Sequence, residues 1–257
     1  MNLVCNPALA GDKKRNTQRV RVISEGWFGQ EGYCLKCNSP RLDATPAGTE
    51  FRDFVCSRCS QAYELKSSAR AHTTTVQDGG FASMMRRMRA NEAPALMLMH
   101  YMPDWNVQGL IAIHPVFLTT AVVRKRPKPH HRPKTGKEYW MCDLNLAAIP
   151  SDGKIVVVGG GEARPHALAR REFRESMRFA DVPLRKRGWA ALVLANVRKM
   201  GKTEFTLKDI YAYEEAMHAI YPKNSHVRPK IRQQLQVLRD LGYLEFPERG
   251  RYLVRQG

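Results

Sequence analysis

Residues 53–66 read DFVCSRCSQAYELK, and this stretch decides the fold that we expect for the chain. It holds a Cys-x-x-Cys turn with an acidic residue before it and Glu-Leu-Lys after it. Residues 51–55 and 62–67 have the aromatic and β-branched character of strands. Because side chains alternate along a strand, Glu64 and Lys66 share one face of the second strand. The sequence therefore predicts two neighbouring strands that carry polar groups beside a cysteine turn.

A second Cys-x-x-Cys turn precedes this stretch. It is formed by Cys34 and Cys37, and 18 residues separate it from the turn at Cys56 and Cys59. Two such turns can present four thiolates to one tetrahedral ion, which closes the site and leaves no open position for catalysis. Short paired spacings in a chain without a secretory signal favour a metal over disulfides. We therefore predict a structural Zn²⁺ site made by these four cysteines.

Asp53 adds a second carboxylate to Glu64 and Lys66. If the two strands pair, two carboxylates and one ammonium group converge on one face. Phosphodiester hydrolysis needs this combination, because carboxylates hold Mg²⁺ while a lysine orients the attacking water. A bare D-x(n)-E-x-K pattern also occurs by chance in surface strands. We predict that Asp53, Glu64 and the Leu65 carbonyl bind magnesium, and that Lys66 positions the water.

Charge indicates the kind of partner. Lys and Arg outnumber Asp and Glu by 42 to 24, which gives a net charge of +18. Such a surplus favours a nucleic acid, although a solvated basic surface is the alternative. The proline-rich basic segment at 124–137 is expected to be a loop that grips DNA or a solvated insertion. No apolar run has the length of a bilayer span, so we expect a cytoplasmic protein without a membrane partner.

Hydrophobic periodicity predicts the remaining elements of the first part of the chain. Helical spacing indicates a helix over 17–27 and another that opens at 78 and runs to about 90. Short apolar runs indicate strands over 95–100, 110–114 and 154–158. Helices interspersed with strands predict a mixed α/β fold.

The pattern changes near residue 181, and we expect a second domain after it. An apolar face predicts a helix over 189–200, and a capping-box-like start at Thr206 predicts a second over 206–221. Apolar periodicity predicts a third helix that begins between 225 and 228, and two short strands follow it. This is the order of a winged helix-turn-helix domain, whose third helix enters the major groove. The outward side chains of that helix are donors that read bases and phosphates; they are Arg228, Lys230, Arg232, Gln233, Gln236 and Arg239.

Seven segments also resemble, in order, the DpnI family of methyl-directed restriction endonucleases. They are YCLKC (33–37), DFVCSRC (53–59), ELKS (64–67), DGGFASMMRR (78–87), WMCDL (140–144), RGW (187–189) and KIRQQLQVLRD (230–240). The resemblance implies a PD-(D/E)xK nuclease domain followed by a winged helix, both binding DNA that carries N6-methyladenine in GATC. It also implies that Trp140 forms an aromatic wall near the methylated base. An ordinary core tryptophan is the alternative reading of that residue.

We therefore expect two domains: a nuclease domain with an inserted zinc site over 1–181 and a winged helix over 182–257. The expected activity is methylation-dependent, Mg²⁺-assisted hydrolysis of double-stranded DNA by a monomer. Two alternatives stay open. One is a non-catalytic DNA-binding regulator built on zinc and winged-helix modules. The other is a repair nuclease that is indifferent to methylation.

Overall fold

The structure is a computed structural model that describes residues 1–46, 48–49, 52–133 and 135–255. The α-helices are α1 (Asn16–Glu31), α2 (Phe81–Ala90), α3 (His166–Ser176), α4 (Leu184–Met200), α5 (Leu207–Tyr211), α6 (Glu214–Ile220) and α7 (Val227–Asp240). The first eight strands are β1 (Asp43–Ala44), β2 (Phe54–Val55), β3 (Ala62–Ser68), β4 (Thr75–Gly80), β5 (Ala95–Tyr101), β6 (Val107–Ile113), β7 (Val123–Lys125) and β8 (His130–His131). The other strands are β9 (Glu138–Tyr139), β10 (Met141–Asn145), β11 (Lys154–Gly159), β12 (Glu162–Ala163), β13 (Glu204–Thr206), β14 (Leu244–Glu248) and β15 (Arg251–Val254).

Two compact units divide the chain, and each gathers three separate segments. Unit 1 comprises 1–73, 93–115 and 153–176. Unit 2 comprises 74–92, 116–152 and 177–257. Segments that precede residue 181 therefore contribute to both units.

Unit 1 is built on a seven-stranded sheet with the order β1-β2-β3-β5-β6-β11-β12. Strands β3 and β5 run parallel, and the other neighbouring pairs are antiparallel. β5 is buried over nearly its whole length, which explains its continuous apolar sequence, as expected for a central strand covered on both faces. Helix α1 contacts β3 and helix α3 contacts β11.

The core of unit 1 fixes the position of β2 against α1. The rings of Phe28 and Phe54 meet edge to face, with their centroids 5.0 Å apart. Both side chains are almost fully buried, and burying a side chain of this size contributes about 1.5–3 kcal/mol. Because Phe54 follows Asp53 directly, this packing also fixes the backbone of Asp53.

Unit 2 holds a small sheet, a ribbon and a helical region. The sheet has the order β4-β10-β7, and β8 pairs with β9 to form the ribbon. After residue 177, helices α4 to α7 accompany a three-stranded sheet with the order β13-β15-β14. Helix α7 packs on α4 through a buried apolar stripe formed by Ile231, Leu235 and Leu238. The order of α4, then α5 with α6, then α7, followed by the hairpin of β14 and β15, confirms the winged helix-turn-helix order.

Several sequence predictions of local structure are confirmed. The helix expected over 17–27 is α1, and the strands expected over 95–100, 110–114 and 154–158 are β5, β6 and β11. The strand expected over 62–67 is β3. Of the strand predicted over 51–55, β2 covers its last two residues, and residue 51 lies outside the described residues. Residue 134 of the predicted basic loop also lies outside them.

Two helix predictions are wrong in detail. The helix expected to open at Asp78 begins at Phe81, because Asp78 pairs with Cys142 of β10 and the strand continues through Gly80. The single helix expected over 206–221 is interrupted at Tyr213, whose backbone has φ −98° and ψ 9°. The capping box predicted at Thr206 is present. Among the described residues, no helix combines the length and the apolar character needed to cross a bilayer.

Candidate functional site

Asp53 is held against β3 by both its backbone and its side chain. Its N–H donates to the Tyr63 carbonyl at 2.9 Å, and its Oδ2 accepts a hydrogen bond from the Leu65 N–H at 2.8 Å. The antiparallel pairing of Phe54 with Tyr63 sets this register. The carboxylate of Asp53 is therefore fixed beside the segment that carries Glu64, Leu65 and Lys66.

Glu64 and Lys66 point to one face of β3. The Nζ of Lys66 lies 2.6 Å from Oε1 of Glu64, and their side chains are 25% and 11% exposed respectively. Strand alternation predicts this shared face. In β5, Leu96 and Leu98 lie beside these two residues in parallel register. The structure thus brings together the two carboxylates and the ammonium group that the sequence analysis singled out.

The four predicted zinc ligands form one cluster. The sulfurs of Cys34, Cys37, Cys56 and Cys59 lie within 4.8 Å of one another. The sulfur of Cys34 lies 3.5 Å from that of Cys59, and the sulfur of Cys37 lies 3.6 Å from that of Cys56. Ligand sulfurs about 2.3 Å from a tetrahedral zinc ion lie about 3.8 Å apart. The cluster therefore fits Zn²⁺ and could hold it.

The thiols of this cluster differ in acidity. Burial raises the pKa of Cys34 above its usual value and that of Cys59 to about 12. At Cys56, burial also raises the pKa, but the N–H groups of Cys59 and Arg58 outweigh it and lower the value to about 7. A thiolate at Cys56 is therefore available near neutral pH, and a bound metal ion favours deprotonation of the other ligands.

Tyr63 joins the cysteine cluster to the acidic site, and the sequence analysis assigned it no role. Its hydroxyl lies 3.3 Å from the Cys34 sulfur and accepts a hydrogen bond from the Leu35 N–H at 2.9 Å. The side chain is completely buried, and burial raises the pKa of Tyr63 well above its usual range. The Tyr63 hydroxyl consequently stays protonated. Glu64 of the acidic site is the next residue in the sequence. The sequence signal that could have indicated this role is the position of Tyr63 directly before Glu-Leu-Lys, on the opposite face of the strand from Glu64.

Arg170 on α3 braces the first cysteine turn and was also missed. Its Nε donates to the Cys34 carbonyl at 2.9 Å, and its Nη2 donates to the Ser39 carbonyl at 3.0 Å. The guanidinium also lies 4.9 Å from the centroid of the Tyr33 ring. The contact joins residues far apart in sequence, so no local motif indicates it.

In unit 2, Trp140 is half-buried, so its ring is not enclosed in a core. The Nζ of Lys125 lies 3.7 Å from the centroid of the Trp140 ring and 6.0 Å from that of Phe81. The Trp140 carbonyl accepts a hydrogen bond from the Phe81 N–H at 2.7 Å. Trp140 therefore presents a partly accessible aromatic ring with the Lys125 cation packed against it.

The predicted DNA-reading residues lie on the outer side of α7. Five of them are exposed and Lys230 is half-buried; the exposed ones are Arg228, Arg232, Gln233, Gln236 and Arg239. Neighbouring groups orient several of these side chains. Arg228 pairs with Glu214 at 2.7 Å, and Arg232 donates to the Tyr211 hydroxyl at 2.9 Å. Lys230 donates to Gln233 at 2.8 Å, and Arg239 pairs with Asp240 at the same distance.

Fold and site together define a class: a mixed α/β protein with an acidic, lysine-containing site, a four-cysteine cluster and a helix-turn-helix region. Two family models match the chain. The model of the Dam-replacing family, DpnI, matches residues 1–180, and that of the Dam-replacing HTH domain, DpnI_C, matches residues 185–253. The chain belongs to the Dam-replacing family, and the resemblance predicted from its motifs is confirmed. Membership implies a methylation-dependent restriction endonuclease that binds DNA.

Proposed function

We propose that this protein hydrolyses the phosphodiester bonds of double-stranded DNA at GATC-like sites that contain N6-methyladenine. One observation carries the catalytic part of the proposal. The Asp53 carboxylate accepts the Leu65 N–H at 2.8 Å, which holds it against the segment of β3 that carries Glu64 and Lys66, whose charged groups lie 2.6 Å apart. This is the residue set of a PD-(D/E)xK nuclease.

Each group of the set has a distinct role. The carboxylates of Asp53 and Glu64, together with the Leu65 carbonyl, would hold Mg²⁺. The bound ion supplies an acidified water and offsets charge on the phosphate. Lys66, kept close to Glu64, orients the attacking water and stabilises the developing negative charge. The expected products carry 5′-phosphate and 3′-hydroxyl ends.

Zinc has a supporting role in this proposal. The cluster of Cys34, Cys37, Cys56 and Cys59 offers four thiol ligands and no open position, so a zinc ion there is structural. The second cysteine turn connects β2 to β3. A metal ion in that connection would fix the strand register that places Asp53 beside Leu65.

Recognition of the DNA would be divided between two surfaces. The exposed arginines and glutamines of α7 would enter the major groove, where they read bases and phosphates. Trp140 would contact the methyl group of the modified adenine, since a broad indole suits an apolar group. We propose domain limits of 1–181 and 182–257, and action as a monomer in the cytoplasm.

The test uses one plasmid prepared with and without adenine methylation at GATC. Purified full-length protein is incubated with each form in Mg²⁺, and parallel reactions contain EDTA. Cleavage of the methylated form alone, abolished by EDTA, is the expected result. Cleavage of neither form would contradict an enzyme and favour the DNA-binding regulator. Equal cleavage of both forms would favour the repair nuclease.

A further inference from the structure

A cleft opens between α1 and the segment that leads into β2. Its volume is about 370 Å³, and its lining includes Arg21 and Glu25 of α1 together with Asp53. This volume is at the low end of the range of roughly 300–1,000 Å³ that is usual for small-molecule sites. Two glycines of α1, Gly26 and Gly29, also line the cleft. The cleft therefore leads from the surface of α1 to a carboxylate of the acidic site.

Arg21 and Glu25 form an ion pair across one turn of α1. Nε of Arg21 lies 2.6 Å from Oε1 of Glu25, and the two side chains are 55% and 30% exposed. Among the described residues, neither terminal nitrogen of Arg21 has a hydrogen-bond partner. The pair thus fixes the base of the guanidinium while its two terminal nitrogens still have donors to offer.

Electrostatics connect this pair to Asp53. Burial raises the pKa of Glu25, the Arg21 cation opposes that effect, and the negative charge of Asp53 adds to it. The pKa of Arg21 is raised by Glu25 and, to a smaller extent, by Asp53. The guanidinium consequently lies within electrostatic reach of the carboxylate that the proposed function assigns to catalysis.

We propose that Arg21 binds a backbone phosphate of the DNA strand being cut, and that Glu25 is a positioning residue that orients its guanidinium. The proposal rests on the proposed function. A guanidinium offers paired donors that match phosphate oxygens. A polyanionic strand that approaches Asp53 also needs a cation nearby, because its phosphates and the carboxylates repel one another. Arg21 supplies that cation at the wall of the cleft.

The test combines protein variants with neutral phosphates. Full-length protein and R21A are given methylated GATC duplexes that each carry one methylphosphonate, placed in turn at the linkages flanking the cut. Cleavage is followed under single-turnover conditions. At one linkage we expect the neutral phosphate to slow cleavage by the wild-type protein about 10-fold, but cleavage by R21A by less than about 2-fold. The reason is that R21A already lacks the contact between Arg21 and that phosphate. Equal slowing of both proteins at every linkage would overturn the proposal.

Matched variants separate this role from general effects of charge or folding. Arg171 forms a comparable i,i+4 pair with Glu175 at 3.8 Å on α3, so R171A controls for loss of one exposed arginine and is expected to retain wild-type cleavage. E25Q should slow cleavage in the wild-type background and have little effect in the R21A background. An equal effect of E25Q in both backgrounds would overturn the positioning role. Thermal unfolding of each variant excludes a folding defect.

Failure of this inference is distinguishable from failure of the proposed function. If the wild-type protein does not cut the unmodified methylated duplex, the proposed function fails. If it cuts and R21A cuts equally fast, only the role of Arg21 is wrong.

Discussion

The hydroxyl of Tyr63 lies 3.3 Å from the sulfur of Cys34, so one side chain of β3 reaches the cysteine cluster. The next residue along the strand, Glu64, belongs to the acidic site. Because side chains alternate along β3, Tyr63 and Glu64 project to opposite faces. A displacement of Tyr63 would therefore also move the backbone of Glu64. Strand β3 thus supports both the cysteine cluster and the acidic site.

Replacing Tyr63 by phenylalanine tests this support. The substitution removes the acceptor of the buried Leu35 N–H, and an unsatisfied buried donor costs about 1–3 kcal/mol. We expect the free energy of unfolding, measured by urea denaturation, to fall by that amount. Y101F is the control, since the Tyr101 side chain is also buried and, among the described residues, its hydroxyl has no hydrogen-bond partner. Equal stability of Y63F and the wild-type protein would contradict the supporting role.

His72 should make the stability of the protein depend on pH. Burial lowers the pKa of His72, backbone groups of Lys66 and Met99 oppose this effect, and the charge of His100 adds to it. The folded protein therefore keeps this imidazole neutral at pH values where the unfolded chain, with a pKa near 6.5, takes up a proton. Since the unfolded state then binds more protons, stability rises with pH and is lost as pH falls through about 6.5.

The measurement is urea denaturation of the wild-type protein and H72Q between pH 7.5 and 5.5, a range chosen to span the ordinary histidine pKa of about 6.5. H72Q should show a shallower loss of stability as the pH falls. An identical slope for the two proteins would show that His72 does not contribute to it.

Trp140 should control the preference for methylated DNA. Its ring is half-buried and carries Lys125 at 3.7 Å from the centroid. Removing an apolar contact with a methyl group costs about 1 kcal/mol, so W140A should reduce the ratio of cleavage rates on methylated and unmethylated duplexes about fivefold. K125A, which removes the cation but keeps the ring, should preserve most of that ratio. A ratio unchanged in W140A would contradict the assignment.

Arg232 should contribute to DNA binding through a phosphate or a base edge. It is exposed on α7 and oriented by the Tyr211 hydroxyl at 2.9 Å. We expect R232A to weaken binding of a methylated duplex, measured in Ca²⁺ by fluorescence anisotropy. Loss of a phosphate contact should also reduce the slope of log K against log salt by about 1, whereas a base contact should alter sequence preference instead. Unchanged affinity and unchanged sequence preference would exclude both contacts.

The sequence predicted those parts of the site whose geometry is local. Glu64 and Lys66 share a face because strand alternation requires it, and paired Cys-x-x-Cys turns fix their own spacing. The contacts of Arg170 with the Cys34 and Ser39 carbonyls could not be predicted from the sequence, because they depend on how α3 packs. Strand β4 was missed for a similar reason: a helix was predicted to open at Asp78, but pairing with β10 keeps this segment extended through Gly80.

The interruption near Tyr213 shows a second limit of sequence patterns. The capping-box-like start at Thr206 predicts one helix over 206–221 and gives no sign of the interruption. The catalytic role of Asp53 and the recognition role of Trp140 differ from these structural predictions, because both roles depend on a bound substrate. They remain predictions.

Cleavage by D53N tests the central claim most directly. Asparagine keeps an oxygen that can accept the Leu65 N–H but removes the negative charge proposed to hold Mg²⁺, so the fold should persist while the chemistry stops. D43N, which alters an exposed acid on β1, is the matched control. We predict that D53N binds the methylated GATC duplex and has the same zinc content and unfolding midpoint as the wild-type protein, yet cuts at least about 100-fold more slowly in Mg²⁺. Cleavage by D53N at the wild-type rate would contradict the account.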